Sequence, residues 1–140
     1  MSHRIDFEIR RQVVLLSFFG VVTNDSFLAG LSEGIGFVRT QGMEGAIIDL
    51  SKTEAFQVSM DFMRDYVNAR EIVAPTKPRT VVAPQPAIYG MFRVFGVHAE
   101  SSRVFPRLVR TMAEACELLK LDSPVFGAEL WGSPLPQNSK

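Results

Sequence analysis

Residues 4–10 alternate strictly between apolar and charged side chains. Ile5, Phe7 and Ile9 fall on one side, and Arg4, Asp6, Glu8 and Arg10 on the other. A period of two with a single apolar face predicts a strand whose other face is wet. After a short connection at Arg11 and Gln12, the run Val13-Val14-Leu15-Leu16-Ser17-Phe18-Phe19 is apolar at both parities. That pattern predicts a central strand covered on both faces. Together the two segments predict an antiparallel hairpin.

The period then changes. Thr23-Asn24-Asp25 supplies polar caps and an acid at the positive end of a helix. Phe27, Leu28, Leu31, Ile35 and Val38 recur on one helical face, and Gly42 stands where a C-terminal cap belongs. Residues 46–50 are apolar except for Asp49, which predicts a short buried strand. Ser59 predicts the cap of a second helix with Phe62, Met63, Tyr66 and Val67 inside and Asp61, Arg64, Asp65 and Arg70 outside. Pro75 and Pro78 mark a loop. Residues 79–83 read as a strand stopped by Pro84. Pro86 suits the first turn of a third helix, expected over 86–101. A fifth strand fits at 103–105 or at 106–110. The capping box Thr111-Met112-Ala113-Glu114 favours the second placement, because it starts a fourth helix at 111. Pro106 is tolerable at the first residue of a strand. In that last helix Met112, Cys116 and Leu119 form the inner stripe, flanked by Ala115 and Leu118.

The order strand, strand, helix, strand, helix, strand, helix, strand, helix predicts an α/β layer fold. Its five-stranded sheet is expected to be mainly parallel, with an antiparallel first strand. The 140 residues suffice for one domain with a sizeable core. That domain is expected over residues 1–121, followed by a Pro/Gly/Ser-rich tail, 122–140, that carries Phe126, Leu130 and Trp131.

Charge narrows the function classes. Lys plus Arg is 15 and Asp plus Glu is 15, so the chain offers neither the basic footprint that binds nucleic acid nor a patch for an anionic membrane. No apolar run approaches the roughly 20 residues of a bilayer-spanning helix. Met1-Ser2-His3-Arg4 leads straight into alternating charges, unlike a signal peptide. One cysteine, Cys116, forms no internal disulfide. These features predict a cytoplasmic protein.

Four stretches resemble a known group. They are the opening hairpin, Asp49-Leu50-Ser51 before a loop and helix, Val81-Val82-Ala83-Pro84, and Tyr89-Gly90-Met91-Phe92-Arg93-Val94-Phe95. Arg110-Thr111-x-x-Glu114-Ala115 fits as well. Over residues 4–121 the chain resembles the STAS fold of anti-sigma-factor antagonists and sulfate-transporter tails. It looks most like bacterial SpoIIAA-like or STAS-like proteins of unknown function. In the antagonists a phosphorylated Ser heads the second helix, within an Asp-Ser-(Ser/Thr)-Gly run. Here the matching stretch is Gln57-Val58-Ser59-Met60, without the Asp or the Gly. Val58 falls at the modified position and Ser59 one step beyond it. The resemblance therefore implies a regulatory fold in which Ser59 is a structural cap.

The remaining chemistry is sparse. His3 lies near a terminus expected to fray, and His98 has no Cys or acid at ligand spacing, so no metal or cofactor is expected. Cys116 reads as a small core residue. Gly30, Gly34 and Gly36 fall inside a helix and not in a strand–helix turn. They predict close helix–sheet approach in place of a phosphate cradle. Asp6, Glu8, Asp49, Glu54, Asp61 and Asp65 read as solvated charges and form no catalytic pair. No nucleophile, base and orienter can be assembled, which sets an enzyme last.

Two regions stand out. The loops Ser51-Lys52-Thr53-Glu54 and Pro84-Gln85-Pro86 follow strands expected to be parallel, and open α/β sheets take ligands at such carboxyl ends. Both loops feed helix N-termini, whose free N–H groups attract anions. The candidate binding rim is therefore Ser51, Lys52, Thr53, Ser59, Pro84 and Gln85. In the third helix Arg93 is the only charge between Pro86 and Val97, and Ile88, Tyr89, Met91, Phe92, Val94, Phe95 and Val97 occupy more than one side. Either the tail covers this helix, or it is a partner or ligand face formed by Tyr89, Met91, Phe92, Arg93 and Phe95. Gly90 and Gly96 would admit a second backbone, which predicts a two-fold homodimer through the 86–101 helix. The expected function is a non-enzymatic regulatory or protein-interaction domain. The alternative is a carrier or sensor of a small apolar or lipid-like ligand, held against Tyr89, Phe92 and Phe95.

Overall fold

A computed structural model describes residues 3–8, 11–69, 79–98, 107–122 and 126, with the side chains of 38–39, 66–69 and 97–98 excepted. The elements are β1 (His3–Glu8), β2 (Val13–Thr23), α1 (Asn24–Gln41), β3 (Gly45–Gln57), α2 (Met60–Ala69), β4 (Arg79–Val82), α3 (Pro86–His98), β5 (Arg107–Val109) and α4 (Met112–Leu118). One sheet contains all five strands in the order β1-β2-β3-β4-β5. β1 pairs antiparallel with β2, and every later pair is parallel. Element order and strand sense match the sequence expectation, and β5 takes the second of its two possible places. The Pro75/Pro78 loop, Arg70, the 103–105 alternative, the Tyr66, Val67 and His98 side chains, and Leu130 and Trp131 lie outside the described residues.

Strand order fixes the layers. The three crossovers β2-α1-β3, β3-α2-β4 and β4-α3-β5 all step the same way along the sheet. Right-handed crossovers then place all three helices on one face. The packing agrees: Phe27 and Leu31 of α1, Met63 of α2, and Ile88, Phe92 and Phe95 of α3 share a core with Leu16, Phe18, Leu50, Phe56 and Val81. Helix α4 follows the last strand and is free of this rule. It packs on the opposite face, where Ala115 meets Val13, Ile47 and Val82. Alternation along the strands divides the two cores, with Leu16 and Val81 on one face and Leu15 and Val82 on the other. Met112, Cys116 and Leu119 pack in this core as expected; of the two flanking residues, Ala115 is fully buried and Leu118 is exposed.

Local chemistry starts and stops the helices. The Thr23 hydroxyl accepts the Ser26 N–H at 3.3 Å, and the Thr23 N–H donates back to the Ser26 hydroxyl at 2.8 Å. Gly42 closes α1 in the left-handed conformation, at φ 68°. The Thr111–Glu114 capping box forms as its spacing predicts: Glu114 N–H donates to the Thr111 hydroxyl and Thr111 N–H to the Glu114 carboxylate, both at 3.1 Å. Gly30 explains one glycine of α1, since a Cβ there would stand 2.6 Å from the Phe18 ring. Gly36 has open space, so close approach does not account for it.

Two sequence expectations are corrected. The expected wet face of β1 is exposed only at Arg4, because Asp6 and Glu8 are buried. Arg4 pairs with Asp6 at 3.0 Å and Arg11 with Glu8 at 3.4 Å, while Arg11 also donates to the Asp122 carbonyl at 2.7 Å. These charges lie on the α4 face of the sheet, closed over by chain that is distant in sequence. His3 is also no frayed end: its ring nitrogen lies 2.7 Å from the Glu33 carboxylate of α1.

Candidate functional site

The third correction concerns β3, and it defines the rim. In place of ending at Leu50, the strand runs on to Gln57, so Ser51, Lys52 and Thr53 are strand residues and not a loop. Lys52 pairs with Phe19 and Thr53 with Gly20. The register with β2 slips twice. Ser17 faces Asp49 while Phe19 faces Lys52, and Gly20 faces Thr53 while Val21 faces Ala55. Each slip inserts one extra residue into β3, and such bulges bend a strand and re-aim its side chains.

Beyond Asp49, β3 loses its neighbour on the other side. The last β3–β4 pair is Asp49 with Val82, after which Pro84 turns the chain into α3. Gln85 fills the gap. Its side-chain amide donates to the carbonyls of Leu50 and Thr53, each at 2.9 Å, and to that of Ser51 at 3.4 Å. One side chain thus serves carbonyls that a further strand residue would otherwise serve, which matters because unpaired backbone groups are costly. The other end of the amide, Oε1, is buried without a hydrogen-bond partner among the described residues.

The rim residues therefore divide. Thr53 is buried, with its hydroxyl donating to the Phe18 carbonyl at 3.2 Å. Ser51, Lys52, Ser59 and Pro84 are exposed, and Gln85 is half-buried. Ser59 heads α2, where its hydroxyl accepts the Phe62 N–H at 3.0 Å, as its place before the apolar stripe predicts. Val58, in contrast, is buried at 2% exposure. Sequence reasoning missed Asn24, whose side-chain oxygen accepts the Ser59 N–H at 3.0 Å. It therefore ties the first turns of α1 and α2 together. Its polar character was visible in Thr23-Asn24-Asp25, but no local pattern shows a partner 35 residues away.

The third helix is sorted by burial. Ile88, Phe92 and Phe95 form its inner stripe, and the Phe92 ring lies 5.1 Å from that of Phe56, tilted, and 5.4 Å from that of Phe95, edge to face. Phe27 links the same cluster to Phe18 at 5.2 Å. Phe92 and Phe95 are thus core residues. Met91 is half-buried, and so is Tyr89, whose ring lies 4.0 Å from the guanidinium carbon of Arg110. Ala87, Arg93 and Val94 face outward, Val94 at 42% exposure.

Among the described residues no cluster of three metal-ligating side chains occurs. Burial pushes the Cys116 thiol above its ordinary pKa, which disfavours the thiolate and suits its place in the α4 core. No helix among the described residues is long and apolar enough to cross a membrane.

No family model matches the chain, and no curated protein matches it. Among solved structures it is similar to the anti-sigma factor antagonist SpoIIAA in its unphosphorylated form. That likeness has 17% identity and a TM-score of 0.56, over 85% of this chain and 98% of that one. It is also similar to the Bacillus cell fate determinant SpoIIAA in the phosphorylated form, at 17% identity and a TM-score of 0.54, over 84% of this chain and 99% of that one. The fold is the SpoIIAA, or STAS, fold, as the hairpin and Asp49-Leu50-Ser51 imply.

Proposed function

We propose that the chain is a non-enzymatic regulatory domain that works by docking a protein partner on the carboxyl rim of its sheet and the adjoining outer faces of α2 and α3. The observation that carries this reading is the Gln85 clamp. It holds 50–53 to the start of α3 through three backbone carbonyls, while Ser51 and Lys52 stay exposed beside Ser59 and Pro84. A polar edge fixed in advance loses little entropy when a partner binds it. The likeness to SpoIIAA, described as an anti-sigma factor antagonist, supports the same class of function.

Ser59 acts here as a cap and not as a phosphate switch. Its hydroxyl serves the Phe62 N–H, and Val58, where the resemblance puts the modified residue, is buried and carries no hydroxyl. A second copy of the chain is one partner that α3 suits. Val94 is exposed, and a Cβ on Gly90 would meet nothing within 4 Å. The burial of Phe92 and Phe95 favours protein contact over an apolar ligand held against them.

Native mass spectrometry of the purified full chain tests the reading. A polypeptide mass, or an integer multiple of it, without added small molecule is the expected result. A stoichiometric apolar ligand that survives purification would replace this reading with the carrier.

A further inference from the structure

Beyond Phe18 and Asp49, β2 and β3 continue as a two-stranded parallel ribbon, past the last pairs with β1 and β4. One face of this ribbon is the core, through Val22 and Phe56. The other carries Phe19, Val21, Lys52 and Ala55, and Val21 is 49% exposed, the largest exposure among the described large apolar side chains. The α4 core on this side of the sheet, around Ala115, includes Val13, Leu15 and Ile47 from the first halves of β2 and β3 and none of Phe19, Val21, Lys52 or Ala55. A sheet face with an exposed valine and a half-buried phenylalanine is an apolar surface without a described cover.

Phe126 shows what lies beside it. It packs with Leu15 in the α4-side core. It also lines a cleft of about 280 Å³ with Ser17, Phe19, Asp49 and Lys52, at the near end of this same face. Phe126 therefore lies on the face of the sheet opposite α3. The residues that follow are Gly127-Ala128-Glu129-Leu130-Trp131. Five extended residues reach about 17 Å, and the four strand steps from Ser17 to Val21 span about 13 Å. An extended segment on that path would bring Glu129 within reach of Lys52, whose ammonium lies 5.9 Å from the Phe19 ring centre.

We propose that residues 127–131 of the same chain dock as a strap on the open face of β2 and β3, with Leu130 and Trp131 covering Val21 and Ala55. The occupant is this tail and not a second copy, because Phe126 already anchors it at the near end and the reach matches the distance. The strap stands independently of the partner-binding reading, since it concerns the face beneath the rim and not the rim itself.

Trp131 is the only tryptophan of the chain, so its fluorescence reports the contact directly. In the full-length protein its emission is expected to be blue-shifted, and its quenching by acrylamide reduced, relative to N-acetyl-tryptophanamide. Val21→Glu and, separately, Ala55→Glu should return both readings toward the free amide while leaving the circular dichroism unchanged. A wild-type tryptophan that matches the free amide would overturn the strap. So would a protected tryptophan that neither substitution releases, and so would protection that disappears on dilution together with a dimer, since the tail would then belong to a second copy.

Discussion

Gln85 donates its side-chain amide to the main-chain carbonyl of Thr53 at 2.9 Å, joining the start of α3 to the bulged end of β3. The same nitrogen serves Leu50. Replacing the amide by an apolar side chain of similar length removes the donor and leaves these carbonyls without it. Gln85→Met should therefore destabilise the fold by about 1–3 kcal/mol, the usual cost of unsatisfied buried polar groups. Urea denaturation checks this through the midpoint, with the slope unchanged. An unshifted midpoint would mean that the clamp contributes nothing to stability.

Two glycines of one helix should respond in opposite directions. Alanine raises helix propensity by about 1 kcal/mol over glycine. At Gly36 a Cβ meets nothing within 4 Å, so Gly36→Ala should stabilise by about that amount. At Gly30 the Cβ would stand 2.6 Å from the ring of Phe18, which is fully buried. Overpacking of this kind costs about 1–3 kcal/mol, so Gly30→Ala should destabilise despite its better propensity. Paired thermal melts read both signs in one experiment.

Helix caps give a third test. Thr111→Ala and Ser59→Ala each remove a side-chain acceptor from an N–H in the first helical turn. Each should cost about 1 kcal/mol. Equal losses in thermal unfolding fit two structural caps. A Ser59→Ala variant of wild-type stability, together with stoichiometric phosphate on Ser59 in protein isolated from cells, would instead make that serine a switch.

Self-association through α3 predicts a charge-sensitive dimer. Val94 faces outward, so Val94→Glu leaves the monomer core untouched but would bury an unpaired carboxylate at a two-fold contact. Sedimentation should show a dimeric wild type and a monomeric, folded variant. A wild type that stays monomeric at high concentration, or a variant that stays dimeric, removes α3 as the interface.

Much of this architecture was legible because local signals agreed. The caps at Thr23, Ser59 and Thr111 and the left-handed Gly42 each marked an element end, and the alternation of strands and helices gave the sheet its class. The second half of β3 was not legible. Its buried residues, Leu50, Thr53 and Phe56, break the two-residue period because two bulges intervene. The short apolar run therefore predicts a strand only as far as Leu50. Asp6 and Glu8 were misread for a different reason. Their alternation with Ile5 and Phe7 is real, but Arg11, Asp122 and Phe126 close over that face from elsewhere in the chain. The rim was nominated from topology alone. The division of labour within it, with Gln85 and Thr53 holding and Ser51, Lys52 and Ser59 presenting, depends on hydrogen bonds spanning more than thirty residues.

Site-specific photocrosslinking in the native host tests the protein-docking account most directly. A photoreactive residue would replace Lys52 or Asp61, both exposed at the rim and on the outer face of α2, or Glu117, exposed on α4 as the control. The account predicts one discrete crosslinked protein from Lys52 and Asp61, identified by mass spectrometry as the same species. It also predicts loss of that species with Gln85→Met, and none of it from Glu117. Crosslinks of equal yield from all three positions, or none from the rim while Glu117 captures a partner, would contradict it.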